Sequence, residues 1–435
     1  MLRLVRWLVL LFLLAILPSV VGAQTANSTI DVLHAEGTIN PVLADYIERG
    51  INQSEEDNAI LCIIQLDTPG GLLDSTEEIV VSIMNADIPI VVYVSPKGAW
   101  AASAGVFITL SGHIAAMTPG TTIGAAHPVT IGDEQISEDE LEKITNFSAK
   151  WMQTIAEARG RNAEEAQLAV TESKSFTDME ALDVNLIDIR AETLENLISQ
   201  IDGWQLTMPN GNIITLDTHS TEVRHIKMNA VEGFLFAITD PNIAYILLSL
   251  AILGITVEIF NPGLIFPGVA GAISGMLAFY ALGMMPVNYA GILLMVLAFG
   301  LFIAEAFTPT FGLLTAGGIT SLVMGSLILF KGGSLFQVNI WLIILIAVIF
   351  AAFLAFVINR IVTAHKRQAT TGREELLGKT AVVRSPLEPE GKVLYEGEIW
   401  TAVLDQGRAE LKEEVIIKKF DGLKLYVTKK DKGDN

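Results

Sequence analysis

The sequence predicts three parts in succession: an α/β domain built on parallel strands, an all-α polytopic membrane domain, and a small carboxyl-terminal β-barrel. Three observations predict them. Between residues 30 and 94, strand-length apolar runs alternate with helix-length amphipathic runs, the pattern of strands joined by crossover helices. Between 242 and 359 come apolar runs, each near the roughly 20 residues that cross a bilayer core. Between 372 and 430 short alternating runs are separated by glycine and proline, as in small barrels.

Composition agrees with this division. At 435 residues the chain is too long for one ordinary core, and 51% hydrophobic residues exceed what soluble domains carry. The formal charge of −20 argues against nucleic acid as a partner, because a polyanion would be repelled. Residues 1–23 open with Arg3 and Arg6, continue through an apolar stretch over 8–17 and close on Val21, Gly22 and Ala23. That is the layout of a cleavable signal peptide, so the domain that follows, 24–235, is expected outside the cytoplasm. Cys62 is the single cysteine; within an apolar strand it reads as a small core residue.

In the first domain, strands are expected over 30–34, 60–66 and 88–94, with helices over 41–51 and 72–84 between them. Chemistry in such folds sits in the loops at the strand carboxyl ends. Two loops of that kind stand out. Residues 67–71 read Asp-Thr-Pro-Gly-Gly, and Gly70 with Gly71 would present backbone N–H donors of the sort that hold an oxyanion. Residues 95–105 are a run of small side chains with one hydroxyl, Ser103, in their middle. Small neighbours let a substrate backbone approach that hydroxyl, although a helix packing closely through small residues accounts for the same run.

A short strand over 113–117 and a segment over 123–129 follow, the latter with His127 placed 24 positions after Ser103 (127 − 103). His127 is either a general base or a histidine bonded to backbone at a strand end. A helix is marked over 138–158, with Ser137 and Glu140 spaced as a capping box. Leu141, Ile144, Phe147, Trp151 and Ile155 form its apolar stripe, and Lys143 lies at the stripe's edge, where Phe147 and Trp151 would desolvate it. Asp139 and Glu140 lie one turn before Lys143 and would instead hold it charged in a surface ion pair.

Taken in order, Asp67-Thr-Pro-Gly-Gly71, Ala101-Ala-Ser-Ala-Gly105, Pro119-Gly-Thr-Thr-Ile-Gly124 and Lys143-Ile-Thr-Asn146 resemble the NfeD family in its long form, a membrane-bound ClpP-class serine protease. The resemblance implies a ClpP/crotonase-like protease domain that self-associates. It implies a dyad of Ser103 and Lys143, with an oxyanion hole from the backbone of Gly70, Ala104 and Gly71, and neither cofactor nor metal. His127 is the rival base, with Asp178, Asp183 or Asp188 as third member of a triad or, more plainly, as turn and cap residues. It also implies substrates among hydrophobic segments of membrane-associated proteins, stomatin-like (SPFH) partners, and an OB-fold at the carboxyl end read as a protein-interaction module. The alternative is a scaffold in which the protease-like domain no longer cleaves.

The stretch over 203–227, with Asn210-Gly211 as a turn signal, reads as a small β extension leading to the membrane. The membrane domain, 236–360, holds about five spans, with Glu258 and Glu305 near span ends, where exposure at the interface is the simplest expectation. An odd count starting outside ends inside, and Arg360, Lys366, Arg367 and Arg373 after the last span agree with that by the positive-inside rule. The expected topology in a prokaryotic cell membrane therefore puts the protease domain outside and the barrel, 372–430, in the cytoplasm.

Overall fold

In the computed structural model the described residues are 29–128, 137–219, 221–308, 310, 312–331, 336–366 and 376–430. Residues 1–23, expected to be a signal peptide, lie outside them. The chain forms two compact units, residues 1–350 and 351–435.

The first unit begins with β1 (Thr29–Glu36), α1 (Pro41–Glu56), β2 (Leu61–Asp67), α2 (Leu73–Asn85) and β3 (Ile90–Val94). Next come β4 (Trp100–Ala102), α3 (Ala104–Ser111), β5 (Ile114–Met117), β6 (Thr122–Gly124), α4 (Glu138–Ala158) and α5 (Ala163–Thr171). Then follow β7 (Ser175–Thr177), α6 (Asp178–Asp183), β8 (Ile189–Arg190), α7 (Leu194–Gln200), β9 (Gln205–Thr207), β10 (Ile213–Thr215) and β11 (Glu222–Ile226). Six strands form one wholly parallel sheet in the order β11-β1-β2-β3-β5-β8. Its central strands β2, β3 and β5 are largely apolar because both faces of the sheet are covered. One face packs the five helices α1 to α5 in a core that includes Cys62; the other packs α7 and its flanks through Val32, Ile63, Val91 and Leu197.

Two features depart from the sequence reading. The three-residue strands β4, β6 and β7 form a second small sheet beside the large one. The β extension divides: β9 and β10 make the expected hairpin, with Asn210-Gly211 in its turn, whereas β11 joins the main sheet parallel to β1. An ion pair explains the attachment of so polar a strand. Arg224 holds the fully buried carboxylate of Asp31 with two bonds, at 2.8 and 2.7 Å, and also reaches Asp57 at 2.7 Å.

After β11, α8 (Ala230–Ile238) leads into α9 (Pro241–Phe260), α10 (Ile265–Gly283), α11 (Tyr289–Phe307), α12 (Leu313–Leu327) and α13 (Ile340–Lys366). Among the described residues three apolar segments are long enough to cross a bilayer, Pro241–Phe260, Ile265–Gly283 and Ile340–Val357, and two apolar helices are shorter, Tyr289–Glu305 and Leu313–Leu327. Glycines set the close contacts. A methyl on Gly254 would lie 2.5 Å from the Pro267 carbonyl oxygen, and one on Gly325 2.9 Å from that of Gly291, the packing that small residues permit in membranes. Glu305 is not exposed at an interface as expected. It is buried and accepts from Thr310 Oγ1 (2.8 Å) and the N–H groups of Gly312 (2.9 Å) and Thr315 (3.1 Å), capping the start of α12.

The second unit carries β12 (Thr380–Ser385), β13 (Glu390–Tyr395), β14 (Glu398–Leu404), β15 (Glu414–Asp421) and β16 (Lys424–Lys429), closed into a barrel in the order β12-β13-β14-β16-β15. Closure leaves no free strand edge, and Val383, Val393, Val415 and Leu425 fill the interior. It is an OB-type barrel, as the short runs and the resemblance led us to expect.

Candidate active site

The run of small residues around Ser103 is a strand, a sharp turn and a helix. β4 is held between two neighbours: the Thr68 N–H donates to the Trp100 carbonyl (2.8 Å) and the Ala102 N–H to that of Thr68 (3.0 Å), while β6 pairs along the other edge. Ser103 then turns the chain at φ 52°, ψ −112° into α3, with its N–H bonded to the Gly124 carbonyl at 3.0 Å. A positive φ is uncommon for a residue with a side chain and is sustained only where the surroundings enforce it. Here Gly105 lets them do so: a methyl there would meet Thr68 Cγ2 at 2.8 Å and Ala101 Cβ at 3.2 Å. The plainer reading of the small run, close helix packing, therefore holds together with the presentation of the hydroxyl.

The structure brings the glycine pair to the same place. Gly70 adopts φ +113°, and a methyl on it would lie 2.7 Å from Ser103 Cβ and 3.2 Å from Ser103 Oγ. No side chain could separate the two backbones. The Gly70 N–H donates to Thr68 Oγ1 at 3.0 Å. Among the described residues neither the Gly71 nor the Ala104 N–H finds an acceptor, so these two amides are free to donate. Gly71 is fixed from behind, since Ile39 N–H donates to Gly70 O and Leu72 N–H to Ile39 O, both at 2.9 Å. These bonds extend the β1–β2 pairing beyond the ends of both strands.

Lys143 sits differently from its expected surroundings. α4 runs over Glu138–Ala158 as expected, and Ser137 Oγ accepts from the Glu140 N–H, one half of a capping box. The buried stripe, however, is Ser148, Ala149, Met152, Ile155 and Ala156, rotated from the predicted one. Small residues decide this, because they let α4 approach α3 and α5 closely. Lys143 is exposed and Phe147 is 65% exposed, so Phe147 does not desolvate the lysine in the single chain. Trp151 stacks on Phe107 instead (4.6 Å between ring centroids). Among the described residues neither Asp139 nor Glu140 pairs with Lys143, and no hydrogen bond joins Ser103 to Lys143 or to His127.

His127 lies past β6 with its Nδ1 at 2.9 Å from the Val170 carbonyl oxygen. That is the backbone contact expected of a structural histidine, yet it also fixes the ring with Nε2 as the other nitrogen. Asp178 accepts from the Gly120 N–H (2.9 Å) and pairs with Arg190; Asp188 accepts from the Ala115 N–H (2.7 Å) and pairs with Arg161 at 2.6 Å. Both carboxylates are engaged in holding loops, and Asp183 is exposed.

Comparison with known proteins agrees with this architecture. The family model of the NfeD1b N-terminal domain matches residues 29–203, that of the NfeD integral membrane domain 242–360, and that of the NfeD-like C-terminal, partner-binding domain 373–429. The membrane-bound protease PH1510 of Pyrococcus horikoshii is 38% identical over 418 residues, covering 94% of this chain and 95% of the relative. The membrane protein NfeD1b of Bacillus subtilis is 26% identical over 439 residues, with 96% of each chain covered. Among solved structures, a lysine-to-alanine variant of the 1510-N membrane-bound stomatin-specific protease, in complex with a substrate peptide, is 36% identical, with a TM-score of 0.46, and covers 49% of this chain and 98% of that one. The chain therefore belongs to the NfeD family in its long form, a membrane protein joining a ClpP-class protease domain to an integral membrane domain and a carboxyl-terminal barrel.

Proposed function

We propose that this protein is a membrane-anchored serine endopeptidase in which Ser103 is the nucleophile. The observation that carries the reading is the contact of Gly70 with Ser103, which sets a strained serine beside two unbonded amides. In the reaction a base removes the Ser103 Oγ proton, Oγ attacks the peptide carbonyl, and the amides of Gly71 and Ala104 hold the oxyanion. The amine leaving group takes up the proton as the C–N bond breaks, and water then releases the acyl group. Gly70, whose own N–H is bonded to Thr68 Oγ1, contributes by its lack of a side chain.

Lys143 is the base in this reading, on the family resemblance of its Lys-Ile-Thr-Asn segment. A lysine acts as a base only when neutral, which requires water to be excluded from around it. An apolar peptide laid against the exposed Phe147, one helical turn from Lys143, would exclude that water, as would a second copy of the chain. Apolar segments are accordingly the substrates, and stomatin-like proteins are the substrate and partner class by kinship with the stomatin-specific relative; the barrel is the partner-binding module. The domain limits are 24–235, 236–360 and 372–430, with the protease domain outside the cytoplasm and the barrel within it. A second reading makes His127 the base, favoured by the Val170 carbonyl on its Nδ1 in the orienting role that a carboxylate otherwise plays.

The test is cleavage of apolar fluorogenic peptides by the full chain in detergent, comparing wild type with Ser103→Ala, Lys143→Ala and His127→Ala. Loss in the first two with His127→Ala active establishes the Ser–Lys dyad. Loss in Ser103→Ala and His127→Ala alone establishes the histidine, and wild type indistinguishable from Ser103→Ala moves the protein to the scaffold class. A tag at the carboxyl terminus that is reachable from the same side as the protease domain would overturn the five-span topology.

A further inference from the structure

The loop over residues 37–40 touches both the oxyanion-hole segment and the start of the membrane domain. On one side it carries Ile39, whose backbone brackets Gly71 so closely that a methyl on Gly71 would lie 2.1 Å from Ile39 O. Gly37 adds a further bond from its N–H to the Asp67 carbonyl (2.9 Å). On the other side the loop meets α8 and the residues just after it, which lead into the first apolar span. A methyl on Gly37 would lie 3.3 Å from Phe236 Cζ, and Asn40 Nδ2 donates to Thr239 Oγ1 at 2.9 Å. Asn40 and Thr239 are both buried, and each is fully committed: Asn40 Oδ1 caps α1 by accepting from the Leu43 N–H (3.0 Å), and the Thr239 hydroxyl donates to the Phe236 carbonyl (2.7 Å). Farther along α8, Glu232 grips Arg49 of α1 with two bonds, at 2.5 and 2.8 Å.

We propose that Asn40 and Thr239 are positioning residues through which α8 and the membrane helices behind it set the placement of the Gly71 amide, so that the state of the membrane domain is read as turnover at Ser103. This rests on the proposed serine-protease mechanism. The path is short and stiff: α8, then the Asn40–Thr239 bond and the Phe236–Gly37 contact, then Ile39, then Gly71. Each link is a hydrogen bond or a van der Waals contact with no slack. Movement has room in a cavity of about 200 Å³ where Thr38 and Asn40 face Phe236, Met284, Met285 and Phe336. A displacement of α8 into that space would be transmitted to the hole, since catalytic donors tolerate little change from about 2.7–3.1 Å.

The experiment uses the full chain in lipid nanodiscs. Thr239→Val keeps the side-chain shape and removes the hydroxyl, and Thr239→Ser restores it. For Thr239→Val we expect kcat about tenfold lower with KM unchanged, less than the roughly 100-fold that loss of a hole donor brings. Amide exchange should rise at Ile39 and Leu72, whose N–H groups hold the hole segment, while β3 and β5 stay protected. Thr239→Ser should return both quantities to near wild type. Where Thr239→Val does not fold, Asn40→Asp keeps the cap on α1, removes the Nδ2 donor and is expected to behave alike. Unchanged kcat and exchange in the folded variant overturn the proposal, as does a change confined to KM. Activity persisting in Ser103→Ala would instead refute the protease mechanism, and the exchange data would then judge the α8-to-loop linkage alone.

Discussion

Replacing Gly71 with alanine is the sharpest test of how the site is built. The backbone of Gly71 does not require a glycine, since its φ is not positive; the space behind it does. A methyl there would lie 2.1 Å from Ile39 O, 2.6 Å from Ile39 N and 2.7 Å from Ile39 C. Ordinary carbon–oxygen contacts are about 3.3–3.6 Å, so the two backbones must part by about 1 Å. A misplacement of that size can cost about 100-fold in rate, or about 2.7 kcal/mol at about 1.36 kcal/mol per tenfold. We therefore expect kcat for an apolar fluorogenic peptide to fall about 100-fold in Gly71→Ala, with KM within about threefold of wild type. Gly160→Ala supplies the control: Gly160 has φ +69° with no atom within 4 Å of the added methyl, so it should lose about 1–2 kcal/mol of stability from strain and keep its turnover. A folded Gly71→Ala protein with kcat within about threefold of wild type would refute the placement of Ile39 behind the hole.

Other consequences can be measured alongside. Burial, with Arg159 and Arg161 beside it, pushes the His113 pKa down to about 3, and its Nδ1 accepts from the Ile90 N–H at 3.1 Å. The unfolded chain takes up this proton from about pH 6.5 downward and the folded one resists it, so the contribution is intact above pH 6.5 and is lost towards pH 3. The loss should reach roughly 3–5 kcal/mol, and His113→Asn, which keeps an acceptor for Ile90, should flatten the acid limb of the thermal midpoint measured for this domain. Glu305→Ala should weaken the α11–α12 pair by about 2 kcal/mol and Glu305→Gln by about half as much, read as midpoints in detergent. Equal midpoints for both would show that its three bonds are not what matters. Cys62 is fully buried and its thiol is pushed up to about 12 by that burial; maleimide labelling should therefore track unfolding and be negligible in the native protein.

Much of this was legible in the sequence, for identifiable reasons. The large sheet announced itself because β1, β2 and β3 are strand-length, mostly apolar runs separated by amphipathic helices, and the barrel because its strands are short and punctuated by turns. Gly70 and Gly71 could be singled out as glycines just after the apolar run 60–66, and Ser103 as the one hydroxyl in a run of small residues after 88–94; the close approach of Gly70 to Ser103 is what the structure adds. What escaped depended on distant partners. β4, β6 and β7 have three residues each and no period to detect. β11 is polar, and only the buried Asp31 some 193 positions earlier explains its place. The surroundings of Lys143 were misread because the helical period leaves open which of two adjoining stripes faces inward. Ser148, Ala149, Met152 and Ala156 settled that by allowing close approach, turning Phe147 outward.

The position of β11 bears on how the protein is made. β1 is synthesised first, yet one of its edges, and the buried charge of Asp31 with it, waits for Arg224 and the whole of β11. Those residues emerge only a few positions before α8 and the first apolar span. The sheet is thus sealed as the chain commits to the bilayer, and a nascent or truncated domain ending before Glu222 would carry an open strand edge and an uncompensated buried carboxylate. Such a fragment would be prone to pair with other chains through that edge, whereas one that includes Glu222–Ile226 closes the sheet.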